Sequence, residues 1–327
     1  MPAPPPDPED SFSRTRYDLD MALTFFVNTF AGNVLDRRSD LRLDADWLAA
    51  RRDDPTTAVI ALWNGQPLLR DREGGLELVR IEPDLGFHLA GAEDNILFLG
   101  VDGETAVFAI DLMGDADPTE GPLKGRGKPV DLRAAGGQMP PEDAGIAATA
   151  KGLFEWKRRH GFCSACGQPS QVAEAGWKRV CPACKTEHFP RTDPVTIMLP
   201  AFREHCLLGR QAVWPKGRFS CLAGFMEPGE SVEAACAREV KEEAGLTVVQ
   251  VRYHSSQPWP FPSNLMIGLI TEVSDQEATP DQTELEEVRW FSREEMKRLL
   301  KGEIEGMGVP PPFAVAHQLM KAWAEAG

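Results

Sequence analysis

Residues Gly224–Leu246 read GFMEPGESVEAACAREVKEEAGL, and no other stretch of the 327-residue chain restricts its possible folds so tightly. Pro228-Gly229 signals a turn, Ser231 is placed to cap a helix, and Gly245 is placed to end it. The segment therefore reads as a loop feeding a helix that runs to about Ala244. Ala234 stands where a capping box would favour Glu. Along this helix Glu239, Glu242 and Glu243 fall at i, i+3 and i+4, which puts them on one face. Carboxylates crowded in this way repel one another, and a hard divalent cation such as Mg²⁺ relieves the repulsion. Glu230 and Arg238 read as a structural ion pair that fixes the loop against the helix.

A second constraint lies upstream. Cys163-x-x-Cys166 and Cys181-x-x-Cys184 are separated by fourteen residues. Four thiolates on two short knuckles suit tetrahedral Zn²⁺, and a closed four-sulfur shell is structural rather than catalytic. Gly167 and Pro182 suit tight knuckle turns. Cys206, Cys221 and Cys236 have no such partner and read as buried small apolar residues.

Composition narrows the partners. Fifty acidic residues against thirty-five basic ones give a net charge of −15, which excludes broad electrostatic binding to nucleic acid but leaves room for a local basic patch. The candidate patch is Lys157, Arg158 and Arg159, which read first as the basic end of a helix. No apolar run reaches the length of a transmembrane helix. The opening MPAPPPDPED reads as a disordered tail over residues 1–11. Cysteines in metal-type pairs favour a reducing compartment, and the expectation is the cytoplasm.

The chain divides accordingly. Residues 12–142 form a β-rich N-terminal domain with a linker, in which Asn64-Gly65 after the apolar run Thr57–Trp63 is a hairpin signal. Asn95–Leu99 is a further apolar run, and the stretch from about 111 to 142 shifts to Gly, Pro, Asp and Lys, as a linker does. Residues 143–190 hold a helix over Ala144–His160 and the cysteine knuckles. Residues 191–327 form the catalytic domain, opening with a hairpin of Pro194–Ala201 and His205–Gly209. The fold class is α+β. Beyond the glutamate helix, SQPWPFPSN over Ser256–Asn264 makes a stiff loop whose rings would either stack on a base or brace a core turn.

The segment Gly224–Leu246 resembles the Nudix box at every defined position. The order of cysteine ribbon, box and SQPWPFP resembles the NADH pyrophosphatase family, also known as NAD-capped RNA hydrolases, over roughly residues 150–325. The N-terminal region matches that family only loosely. The resemblance implies a Nudix α/β/α sandwich with a mixed sheet, preceded by the zinc ribbon and a smaller β-rich N-terminal domain. It also implies a homodimer that splits NAD(H) into nicotinamide mononucleotide and AMP and removes NAD caps from RNA. By resemblance, Glu239 and Glu243 hold Mg²⁺ or Mn²⁺ with the Ala223 carbonyl and Glu284, whose neighbours Glu286 and Glu287 compete for that role. Glu243 is the general base, with Glu242 the other candidate. Phe225 and Phe189 would sandwich the nicotinamide, Phe189 standing where the family commonly has Tyr. Gln257, Pro258, Trp259, Pro260, Phe261, Pro262, Ser263 and Asn264 would line the substrate pocket, and Ala316 would touch substrate through its backbone. The alternatives are a hydrolase of another nucleoside diphosphate derivative, such as ADP-ribose or diadenosine polyphosphate, and a non-catalytic zinc-ribbon binding protein.

Overall fold

The computed structural model describes residues 28–326, so the expected tail over residues 1–11 lies outside it. The first helix, α1 (Ala45–Arg52), is capped by the Asp44 carboxylate, which accepts the Trp47 N–H. Strands β1 (Ala58–Trp63) and β2 (Gln66–Arg72) form the expected hairpin. Asn64 and Gly65 both take positive φ, 50° and 78°, as a two-residue turn of this hand requires. After β3 (Gly75–Leu78) and β4 (Arg80–Ile81) comes α2 (Pro83–Ala90), then the hairpin β5 (Ile96–Asp102) and β6 (Thr105–Leu112), and the short β7 (Lys128–Pro129). The sheet runs β3-β2-β1-β6-β5, with β1 parallel to β6, β4 added to β1 and β7 to β2.

The stretch expected as a linker is more structured than its composition suggested. It carries β7 and a short helix, α3 (Leu132–Ala135), whose N-cap Asp131 accepts the Arg133 and Ala134 N–H groups. Helix α4 (Pro141–Arg159) starts at a proline, which suits the first helical position, and packs Ile146, Leu153 and Phe154 against Ile60, Leu69 and Leu97. Its buried Asp143 accepts the Leu78 N–H and pairs with Arg80. At its other end Lys157 and Arg158 converge on Asp111, which is 2% exposed, so this basic cluster is a paired helix terminus.

The ribbon follows with three short antiparallel strands, β8 (Gln171–Ala173), β9 (Lys178–Val180) and β10 (Glu187–His188). It sits against the N-terminal domain, where the Trp177 indole N–H donates to the Phe98 carbonyl at 2.7 Å.

The last unit begins with β11 (Asp193–Phe202) and β12 (His205–Arg210), the second expected hairpin. Then come β13 (Leu222–Phe225), α5 (Val232–Ala244), β14 (Val248–Trp259), β15 (Asn264–Val273), β16 (Glu287–Ser292), α6 (Arg293–Leu300) and α7 (Val315–Glu325). The sheet runs β14-β15-β11-β12-β16, with β11 parallel to β15 and β13 added to β11. Alternation along β11 explains the layering. Met198 faces a core with Cys236 and Val240 of α5, whereas Ile197 and Leu199 face one with Met296 of α6 and Leu319 of α7. One helix lies on one face and two on the other, as the sandwich requires. Among the described residues no helix is long and apolar enough to cross a membrane.

The two sheets repeat one plan. In each, a hairpin (β1-β2, β11-β12) shares its first strand with a short antiparallel strand (β4, β13) that leads into a helix (α2, α5). A second hairpin (β5-β6, β14-β15) then returns its second strand parallel to the first strand of the unit. The sequence reading did not find this duplication.

Candidate active site

Local rules place the glutamate helix as expected. The Ser231 side chain accepts the Ala234 N–H, and Gly245 ends α5 with φ 73°. Arg238 organises the turn above it. Its guanidinium takes both oxygens of Glu230, one of Glu239 and one of Glu242, and donates to the Phe225 carbonyl. The structural pair of Glu230 and Arg238 is therefore present, and these bonds and a backbone N–H hold the Glu230 carboxyl down to about 2. Gly224 lies directly over Glu239, where a Cβ would sit 1.8 Å from the Glu239 Cδ, so any other residue would displace that carboxylate from its present position.

Glu239 and Glu243 are buried, while Glu242 and Glu284 are exposed. One oxygen of Glu243, Oε2, is buried with no hydrogen-bond partner. Burial first, then the negative charges of Glu239, Glu284 and Asp281, push the Glu243 carboxyl up to about 8. Burial also raises Glu239. A buried orphan oxygen among mutually repelling carboxylates is the donor set a hard divalent cation satisfies, so these residues fit one. The Ala223 backbone N–H faces Glu243 and slightly offsets the rise of its carboxyl. In a strand the N–H and C=O of one residue share an edge, so the Ala223 carbonyl lies on the same edge as that carboxylate. Asp281 was not anticipated. Its carboxylate accepts the Thr283 hydroxyl and the Glu284 and Leu285 N–H groups, which fixes the loop that carries Glu284.

Beside this cluster lies a cleft of about 750 Å³. Ala223 and Glu243 line it, together with Gln257, Trp259 and Ala316. Gln257 is 1% exposed and fully engaged: its amide donates to the Thr29 and Phe313 carbonyls and accepts the Val315 N–H. Gln257 thereby ties the N-terminal segment to the start of α7, where Ala316 occupies the second position of a helix without a side-chain cap. Trp259 stacks on Phe313 at 6.2 Å and 18°, and meets Phe30 and Phe261 edge-on. Residues 256–259 of the expected loop close β14 instead, and alternation there turns Pro258 away from the cleft; with Pro260, Ser263 and Asn264 it lines a second cavity, while Phe261 and Pro262 line neither. Phe189 and Phe225 stand exposed, at 63% and 57%, and make no ring contact with each other. The sequence reading missed Trp214 and Arg218, which line the cleft, and Arg133, which reaches it from α3. The Asp131 cap was the one local signal for that helix.

The four knuckle cysteines converge. Their sulfurs lie within 4.8 Å of one another, with Cys163 and Cys184 3.6 Å apart and Cys166 and Cys181 3.5 Å apart. Tetrahedral bonds of about 2.3 Å require edges near 3.8 Å, so the set fits zinc. The knuckles match: the N–H groups of Gly167 and Lys185 donate back to Cys163 and Cys181, both from positive φ. Cys206, Cys221 and Cys236 are buried as expected.

With this geometry in view, three family models match in series: the NADH pyrophosphatase-like rudimentary NUDIX domain over residues 56–156, the NADH pyrophosphatase zinc ribbon domain over 158–189, and the NUDIX domain over 191–307. The NAD-capped RNA hydrolase NUDT12 of Macaca fascicularis is 36% identical over 90% of this chain and 73% of its own length. The chain belongs to the NADH pyrophosphatase family of Nudix hydrolases. Other relatives are the mitochondrial NAD(P)H pyrophosphatase NUDT13 of Homo sapiens, 38% identical over 79% of each chain, and the NAD-capped RNA hydrolase NudC of Mycobacterium bovis, 36% identical over 86% of this chain and 93% of its own. The word rudimentary matches what the fold shows, since α2 has eight residues against thirteen in α5. Aligned from their first residues, Ala90 stands where Glu239 does, and α2 ends before any counterpart of Glu243.

Proposed function

We propose that this chain splits the pyrophosphate of NAD(H) into nicotinamide mononucleotide and AMP, and removes NAD caps from RNA 5′ ends. The observation that carries this reading is that one cleft is lined both by the box, through Glu243 and Ala223, and by the SQPWPFP segment, through Gln257 and Trp259. The relatives' names support the same substrates.

Glu239, Glu243, the Ala223 carbonyl and Glu284 would hold Mg²⁺ or Mn²⁺, which supplies charge neutralisation at the pyrophosphate and an acidified water. Glu243 accepts the proton from the attacking water, its carboxylate bordering the cleft. Glu242 is the less suited base, because it is exposed and shared with Arg238. Arg238 holds Glu239 in place, and the Asp281 loop does the same for Glu284. The Ala316 N–H is oriented for a substrate carbonyl or phosphate oxygen. The exposed rings of Phe189 and Phe225 suit a homodimer in which a second copy closes the nicotinamide site. Four free thiols poised for zinc suit a reducing compartment such as the cytoplasm.

Product analysis tests the reading. Incubation with NADH and Mn²⁺ is expected to yield nicotinamide mononucleotide and AMP from the wild type and neither product from Glu243→Gln. Intact NADH alongside cleaved ADP-ribose would keep the hydrolase and reject the substrate.

A further inference from the structure

A second cavity of about 470 Å³ lies where the N-terminal domain, α4, the ribbon and the tip of the β14-β15 hairpin meet. Trp259 lines both this cavity and the cleft. Arg37 and Trp177 form another part of its wall. In a chain with fifteen more acidic than basic residues, half-buried cations readily find a carboxylate, as Lys151 and Arg158 do. Arg37 does not. Among the described residues its guanidinium makes one long bond to the Thr149 hydroxyl, at 3.4 Å, and lies over the face of Trp177, at 5.4 Å. Most of its five N–H donors are therefore uncommitted. A second guanidinium, Arg42, lies 3.8 Å over the same indole with its Nε buried and unpartnered. Burial lowers the pKa of both, and the charge of Arg37 lowers Arg42 further, an effect that Glu174 offsets only in part. Two desolvated like charges around one ring form an arrangement that an anion would stabilise.

Resting on the capped-RNA reading above, we propose that this cavity is a subsite for the RNA behind the cap, in which Arg37 binds a backbone phosphate and the rings of Trp177 and Trp259 flank the adjoining base. Guanidinium for phosphate and aromatic faces for bases are the usual elements of a single-strand site. The position also fits, because a ligand whose first nucleotides fill the cleft reaches this cavity by passing Trp259. A ligand that fills only the cleft leaves Arg37 untouched. The basic cluster Lys157 and Arg158, the first candidate for such a role, is spent on Asp111.

The test compares full-length wild type, Arg37→Met and Arg37→Lys on NADH and on a single-stranded RNA of about ten nucleotides with a 5′ NAD cap, a length within known site sizes. Arg37→Met is expected to raise KM for the capped RNA about tenfold and to leave kcat/KM for NADH unchanged. It should also flatten the dependence of log KM on log salt by about 0.7, the slope for one phosphate contact on a single strand. Arg37→Lys should recover part of the KM. An unchanged KM for RNA, or an equal loss on NADH, overturns the proposal, the latter because it marks Arg37 as scaffold. Wild type that cleaves NADH but not capped RNA overturns the subsite alone; wild type inert on both overturns the hydrolase reading beneath it.

Discussion

At the scale of single residues, two positions give the sharpest tests of the proposed metal site. Gly224 is the first, because any Cβ there occupies the space of the Glu239 carboxylate. Gly224→Ala is expected to weaken Mn²⁺ binding at least tenfold by calorimetry and to lower kcat with it, while the far-ultraviolet circular dichroism stays native. Glu243 is the second. Its carboxyl is raised to about 8 in the folded, metal-free chain, whereas in the unfolded chain it ionises near the ordinary value of about 4.5. Below that value both states hold the proton and the shift has no effect. Between the two values the unfolded state alone releases it, so metal-free stability falls as pH rises through the window. Thermal melts from roughly pH 5 to pH 8 should show this decline, and added Mg²⁺ should stabilise most at the upper end, because binding there displaces fewer protons. Glu243→Gln should remove the part of both trends that this carboxyl carries.

At the scale of elements, legibility followed sequence distance. The Asn64-Gly65 hairpin, the capped box helix and the cysteine knuckles are each specified by a few adjacent residues, and all three formed where expected. Helix α3 was not foreseen, because its burial through Leu132 comes from partners distant in sequence, and only the Asp131 cap announced it. The SQPWPFPSN segment was ambiguous between stacking platform and core turn, and Trp259 packs on Phe30, Phe261 and Phe313 as a core turn would. Its alternate residues face two cavities, while Gln257 is consumed in joining the N-terminal segment to α7. Gln257→Ala strands the Val315 N–H and two carbonyls. Each buried unpaired group costs about 1–3 kcal/mol, so a clear fall in the urea midpoint is expected at unchanged m-value. The ribbon should behave as a clasp: Cys163→Ser, or zinc removal by a strong chelator, is expected to lower the melting temperature of the ribbon and the N-terminal domain packed on it.

At the scale of the whole molecule, the active cleft is not the property of one domain. Arg133 and Ala134 line it from the N-terminal unit, and Asn28 and Thr29 hydrogen-bond to β14. A fragment of residues 191–327 is expected to bind Mn²⁺ as the full chain does yet lose on the order of tenfold in kcat/KM for NADH, since the substrate would be poorly positioned. Steady-state kinetics on the fragment would check this. The role of the N-terminal unit was the least legible feature of all, because the two sheets share connectivity rather than residues, and connectivity is not printed in a composition.

That shared connectivity has a practical consequence. At 1.5 Å per residue α2 is about 12 Å long and α5 about 20 Å, and the difference is the turn that carries Glu243. The same polypeptide thus contains a working copy of the scaffold and a blank one, folded side by side in one solution. A spectroscopic probe placed at matching strands of each copy would report metal-dependent change in one and serve as its own reference in the other.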